Sequence, residues 1–283
     1  MITARGLAAW AGTDRLAGLR LPEARALTIA AAPYALFVAG DEVPIDRLRG
    51  LPIEMLLERA LIERIGDRAR ARVAILPHRQ ALLVCDRRDA EDHEDLVAWP
   101  DDSSYHLAAT IPASRRPRWL DLGCGSAFAQ LARPELATRM VGVDLNPRAV
   151  AYAKLGAELS GIAHLEVRAQ GVGEPAEPAE LVTCNAPMPG VWNLAIWQRA
   201  GEGFFAELWP AIRTALAPGG LAVVHAARRA IPADLPGDRT IVAYAPDFAV
   251  LWWHPDAPDR VVQRERILTA ERPHLDARDR EIV

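Results

Sequence analysis

From Arg118 onward the chain alternates short apolar runs with helix-patterned segments, and the first run turns into its helix through Asp121-Leu122-Gly123-Cys124-Gly125. No other feature constrains the fold as strongly. Strands are expected at Trp119–Leu122, Met140–Asp144, Leu165–Arg168, Leu181–Cys184 and Leu221–His225, with helices near Ser126–Arg133, Pro147–Ser160 and Gly203–Ala217. The last helix carries Phe204, Leu208, Ile212 and Leu216 at four-residue spacing, which puts them on one face. Strands separated by helices build a doubly wound, mostly parallel α/β sheet with helices on both faces. Three later runs, Ile241–Tyr244, Val250–Trp253 and Val261–Leu268, are joined by Pro- and Asp-rich turns and are expected to add an antiparallel edge.

Ligands on such sheets bind beyond the carboxyl ends of the strands, where the strand order reverses. Gly123 and Gly125 stand where the first strand ends and let the backbone approach a ligand without a Cβ in the way. Asp144 ends the second strand, and a carboxylate there can accept hydrogen bonds from both hydroxyls of a ribose. A dinucleotide fingerprint would place a third glycine where Phe128 stands, because a pyrophosphate must rest on the helix N-terminus. Asp121, two residues before the first glycine, suits instead a ligand with an ammonium or sulfonium charge.

These residues, with Val143-Asp144-Leu145-Asn146-Pro147 and Asn185-Ala186-Pro187-Met188, resemble the class I S-adenosylmethionine-dependent methyltransferases, particularly the small-domain N-methyltransferase group. The resemblance covers roughly residues 100 to 230. It implies a seven-stranded Rossmann-like sheet, S-adenosyl-L-methionine as cofactor, and cofactor contacts from Asp121, Gly123, Cys124, Gly125, Asp144, Leu145, Gln170 and Asn185. In that family the segment after the fourth strand orients a planar amine by two acceptors, and Asn185 and the Ala186 carbonyl match them. Pro187 pushes Ala186 toward extended geometry, which aims that carbonyl. Ala186 stands where the family has a proline, and Met188 where it has a stacking aromatic. Met188, Trp192 (or Trp197) and Tyr105 are the expected acceptor contacts. Gln170 stands in for the acid that binds adenine in the family.

The acceptor expected from this pattern is a small molecule or a peptide, with an rRNA or protein nitrogen, an oxygen acceptor, or a non-catalytic interaction role as alternatives. An oxygen acceptor would want a base, for which His106 and His225 lie near strand ends. A formal net charge of −4 disfavours nucleic acid, whose binding depends on clustered Lys and Arg. Three cysteines, Cys85, Cys124 and Cys184, show no metal or disulfide spacing. Cys124 and Cys184 end neighbouring strands, so they are expected near each other. The apolar stretch from Leu27 to Gly40 lacks the flanks of a signal peptide, and no run is long enough to span a bilayer. A cytoplasmic protein is the expectation.

Residues 1–86 are expected to form a helical, winged-helix-like unit: helix, short helix, helix, then a β-ribbon from Arg72 to Leu76 and Ala81 to Cys85. Its third helix, with Ile53, Leu56, Leu57, Ala60 and Leu61 on one face, carries Glu54 and Glu58 on the other, and acids there would repel phosphates. The first 80 residues hold 12 Arg against 9 Asp and Glu, but not on that helix. Substrate recognition, a lid or homodimerisation fits this unit better than DNA binding. Residues 87–102, with Glu91, Asp92, Glu94 and Asp95, are expected to be a solvated acidic linker, and 103–283 the cofactor-binding domain.

Overall fold

The computed structural model describes residues 32–91, 93–188, 203–268 and 277–282. Its centre is a nine-stranded sheet in the order β14-β13-β11-β12-β10-β9-β6-β7-β8. The strands are β6 (Arg116–Leu122), β7 (Ala137–Asp144), β8 (Leu165–Ala169), β9 (Ala179–Asn185), β10 (Leu216–Ala227), β11 (Asp238–Ala245), β12 (Phe248–His254), β13 (Arg260–Leu268) and β14 (Ala277–Ile282). From β8 to β10 all pairings are parallel, while β12 runs antiparallel to both β10 and β11. The chain lays β7 and β8 on one side of β6 and then returns to place β9 on the other, so the order reverses between β6 and β9.

Alternating residues of these strands feed two cores. Trp119, Met140, Leu181, Val223 and Val250 face α3 (Asp102–Thr110), α4 (Phe128–Ala132) and α5 (Pro147–Ser160). Leu120, Val182, Val224 and Leu251 face Leu208, Trp209 and Ile212 of α6 (Phe204–Ala215). The expected strands and helices of this half are all present within a few residues. The sheet has nine strands and not seven: β13, expected from Val261–Leu268, pairs parallel and not antiparallel with β11, and β14 adds an edge strand that was not expected. Cys124 and Cys184 fall in different cores, on opposite faces of the sheet. Cys184 is in register with Leu122 and shares its core, but β6 ends at Leu122 and the turn at Gly123, φ 68°, carries Cys124 over to the other core.

Before this sheet, α1 (Ala32–Tyr34) continues as a π turn to Ala39, followed by β1 (Val43–Pro44), a 3₁₀ turn at Ile45–Leu48, α2 (Ile53–Glu58), β2 (Ile62–Ile65) and β3 (Arg68–Ala71). The three strands pair in the order β1-β3-β2. The ribbon of this unit is therefore β2-β3, earlier than expected, closed by the two-residue loop Gly66-Asp67 with Gly66 at φ 62°. The expected ribbon exists as a separate hairpin of β4 (Ala74–His78) and β5 (Ala81–Cys85), and it packs on α5. Small residues make that contact close: a Cβ on Gly156 would lie 3.0 Å from the Leu82 carbonyl oxygen. Ser160 Oγ accepts a hydrogen bond from the Leu82 amide at 2.8 Å.

The segment after β5 departs from the expected solvated linker. Val97 and Trp99 are buried and belong to the same core as Trp119 and Phe128. Acid-rich composition hid two apolar side chains with enough area to hold the segment down. The segment ends in α3, a helix not expected from the sequence, capped by Asp101, whose carboxylate accepts from the Ser104 amide. Among the described residues no helix is long and apolar enough to cross a membrane.

Candidate functional site

The carboxyl ends of β6, β7 and β9 meet where the strand order reverses, and the residues singled out from the sequence lie there. After β6 the chain turns sharply, with Gly123 at φ 68°, Gly125 at φ 54° and Ala127 at φ 57° before α4 begins. Nothing lies within 4 Å of where a Cβ on Gly123 or Gly125 would sit, so the loop presents bare backbone to open space. Such a concave stretch can accept a ligand at van der Waals distance. Cys124 donates its amide to the Val143 carbonyl at 2.9 Å, while its thiol is buried. A Cβ on Gly142 would come within 2.9 Å of Cys124 Sγ, so Cys124 reads as the filler beneath the loop.

Asp144 organises this loop. Its Oδ2 accepts the Gly125 amide at 2.8 Å and its Oδ1 accepts the Asn146 amide at 2.8 Å. Burial pushes its carboxyl up from the usual range, and those two amides oppose the shift. Each oxygen has lone-pair capacity left for a ligand hydroxyl. Next to it Leu145 is 65% exposed, an apolar side chain available to cover a flat ring. Gln170 donates its amide N–H to the Asp144 carbonyl at 3.0 Å, and its Nε2 donates to the Glu174 and Pro175 carbonyls. Its side chain thus braces the 170–175 turn.

Asp121 lies deeper than a surface ligand for a cation would. It is 4% exposed, and its Oδ1 accepts from Thr183 Oγ1 at 2.5 Å, which in turn accepts from Trp119 Nε1 at 2.7 Å. Burial, with a smaller contribution from Asp144, pushes its carboxyl up to about 7, against the Thr183 hydrogen bond. A cavity of about 20 Å³ between Leu120, Val141, Val143 and Ala176 lies on the opposite side of the sheet from α3 to α5, with room for about one water.

On the neighbouring strand, Asn185 ends β9 and donates Nδ2 to Ser103 Oγ at 2.9 Å and Ser104 Oγ at 3.3 Å, at the start of α3. That turns its Oδ1 away from the helix. Ala186 is buried, and its amide donates to the His225 carbonyl at 2.9 Å, which fixes the strand end. Pro187 is half-buried, and Met188 is 44% exposed beside them. Trp192 and Trp197 lie outside the described residues.

Tyr105 is not at the surface: it is buried, edge-on to Phe128 at 4.8 Å and to His78 at 5.5 Å. Expected as an acceptor contact, Tyr105 is instead part of the core beneath α3. One turn of α3 presents Ser103 and Ser104 to Asn185, and the next position points into the core. Sequence reasoning missed these serines, although Asp101-Asp102-Ser103-Ser104 is a helix-start pattern.

The two histidines weighed as bases differ. His106 stacks on the Tyr244 ring at 3.8 Å, and Arg266 Nη1 lies 3.1 Å from its Nδ1. His225, in register with Asn185, has Nε2 2.6 Å from the Tyr244 hydroxyl and a buried Nδ1 with no partner among the described residues. Burial pushes the His225 imidazole down to about 4, with Asp101 opposing, so it stays neutral at ordinary pH.

No protein-family model and no curated protein matches the chain. Solved structures are similar at a low level. The tRNA m1G37 methyltransferase of M. jannaschii is 13% identical over 67% of this chain and 58% of that one, with a TM-score of 0.46. A predicted O-methyltransferase, protein Atu636 from Agrobacterium tumefaciens, is 17% identical over 57% of this chain and 85% of that one, at 0.44. The N-methyltransferase NodS from Bradyrhizobium japonicum WM9 is 18% identical over 56% and 94%, at 0.39. Against the first of these three the chain spans little more than half the length.

Proposed function

We propose that the chain is an S-adenosylmethionine-dependent methyltransferase that methylates a nitrogen of a small-molecule or peptide acceptor. The observation that carries this reading is the convergence of the bare Gly123–Gly125 backbone, the Asp144 carboxylate and the Asn185 amide where the strand order reverses. The residues fit the cofactor. Asp144 can accept from both ribose hydroxyls, Leu145 covers one face of the adenine, the glycine loop receives the amino-acid portion, and the buried Asp121, ionised once the pH passes about 7, supplies negative charge beneath it.

The cofactor, when bound, supplies a methyl group already activated on a sulfonium. What the chain itself contributes is alignment, and fixed geometry of this kind can supply roughly 7–11 kcal/mol of barrier reduction. Asn185 Oδ1 and the Ala186 carbonyl accept hydrogen bonds from the acceptor's NH2, leaving its lone pair toward the methyl. The serines on α3 hold the other end of the Asn185 amide in place. Met188 offers an adaptable apolar surface to the acceptor. An oxygen acceptor is the second reading, favoured by one observation: His225, neutral and with an unpartnered Nδ1, lies in register with Asn185. The amino-terminal unit, with its β1-β3-β2 sheet, is proposed as a winged-helix-like substrate or dimer element. Exposed Glu54 and Glu58 on α2 weigh against nucleic acid there.

Calorimetry with S-adenosylhomocysteine against NAD tests the cofactor, and binding of NAD alone would sink the proposal. Asn185→Ala tests the acceptor end. Cofactor affinity is expected to stay within a few-fold while single-turnover transfer falls on the order of 100-fold, since a displacement of about 1 Å costs that much. Near-parental turnover would move the reading to an oxygen acceptor.

A further inference from the structure

Asn146 is tied to two parts of the molecule. It is 3% exposed and caps α5, its Oδ1 accepting from the amides of Arg148 at 2.9 Å and Ala149 at 3.4 Å. Its own amide holds Asp144 Oδ1 at 2.8 Å. Its Nδ2, which a cap does not need, donates to the Asp95 carbonyl at 2.8 Å. Asp95 belongs to the 93–99 segment, a strap laid across the start of α5.

The strap is itself locked to the end of the β4-β5 hairpin by one buried carboxylate. Asp86, 2% exposed, accepts from Arg148 Nη2 at 2.6 Å, from Tyr152 OH at 3.0 Å and from the Val97 amide at 2.8 Å. Its carbonyl accepts from Trp99 Nε1 at 2.8 Å, and the Arg88 guanidinium sits 5.0 Å over the Trp99 ring. A continuous set of hydrogen bonds therefore runs from Asp86 through the strap to Asn146 and on to Asp144. In a low-dielectric surrounding such linked bonds are stiff, and each fixes the next.

We propose that Asn146 is a positioning residue of the cofactor site and that the strap is its anchor, so that cofactor binding and closure of the strap on α5 are coupled. This rests on the reading of Asp144 as the ribose ligand. It gives the amino-terminal part of the chain a definite role, in which the hairpin and strap brace the carboxylate that receives the ligand. Coupling between two sites is reciprocal, so the ligand must tighten the strap by the factor that the strap tightens the ligand.

The test uses the full chain, S-adenosylhomocysteine as probe, and three measurements. In the parent, saturating probe is expected to slow exchange of the Val97 amide about 5-fold or more. Asn146→Ser keeps a good capping oxygen but does not reach Asp95. It is expected to raise the dissociation constant about 5-fold or more, well below its melting temperature, and to abolish the slowing at Val97. A residue that only caps a helix would change melting and leave both readouts alone. Unchanged affinity in Asn146→Ser, with Asp144→Ala weakened, overturns the inference and leaves the cofactor reading standing. Unchanged affinity in Asp144→Ala overturns both. Should Asn146→Ser fail to fold, the parent decides: Val97 exchange that ignores the probe overturns the coupling.

Discussion

Asp144→Ala is expected to raise the dissociation constant for S-adenosylhomocysteine by about 100-fold or more. Two charge-assisted hydrogen bonds to the ribose would be lost, each worth about 1.5–3 kcal/mol, and about 2.7 kcal/mol already corresponds to 100-fold. The Gly125 amide loses its acceptor in the same step, so the loop also loses the contact that sets its position. Asp144→Asn keeps one acceptor oxygen and removes the charge, and it should fall between parent and alanine variant. Calorimetry on variants whose circular dichroism matches the parent is the measurement. Affinity unchanged in a folded Asp144→Ala would remove the residue from the site.

The second large effect is on stability and comes from Asp121. With its carboxyl pushed up to about 7, the folded chain holds a proton here between pH 4 and pH 7 that the unfolded chain has already released. The folded state binds more protons in that window, so this group's contribution to stability falls as pH rises through it and is flat above. Acting alone it lowers unfolding free energy by roughly 4 kcal/mol between the two ends. Asp121→Asn keeps an oxygen for the Thr183 hydroxyl and cannot ionise. It is expected to unfold at higher urea than the parent at pH 8 and at similar urea at pH 5. Parallel pH profiles for the two proteins would show that Asp121 ionises without strain.

The extent to which the site was legible depended on how local its signals are. Gly123, Gly125, Asp144 and Asn185 could be placed because each sits at the end of an apolar run, and the end of a parallel strand is where ligands meet this kind of sheet. Asp121 was also found, but its partner was not: Thr183 is 62 residues away, and only pairing of β6 with β9 brings them together. Tyr105 was misplaced because helix α3 was hidden behind an acidic stretch, and without the helix there was no way to tell its inward positions from its outward ones.

The sequence by itself determined the alternating architecture from Arg118, the loop and acids of the candidate cofactor site, and the start of α5 at Asn146-Pro147. Those are local matters: apolar period, glycine, and a capping residue before proline decide them within a few positions. Only the tertiary structure decided that 93–99 is a strap pinned by buried Val97 and Trp99 and not a solvated linker, that Cys124 and Cys184 face different cores, and that Ser103 holds Asn185 across 82 positions. Each of these depends on which surfaces the sheet leaves to be covered, and burial of Val97 and Trp99 against distant strands outweighs the local preference of acidic neighbours for water.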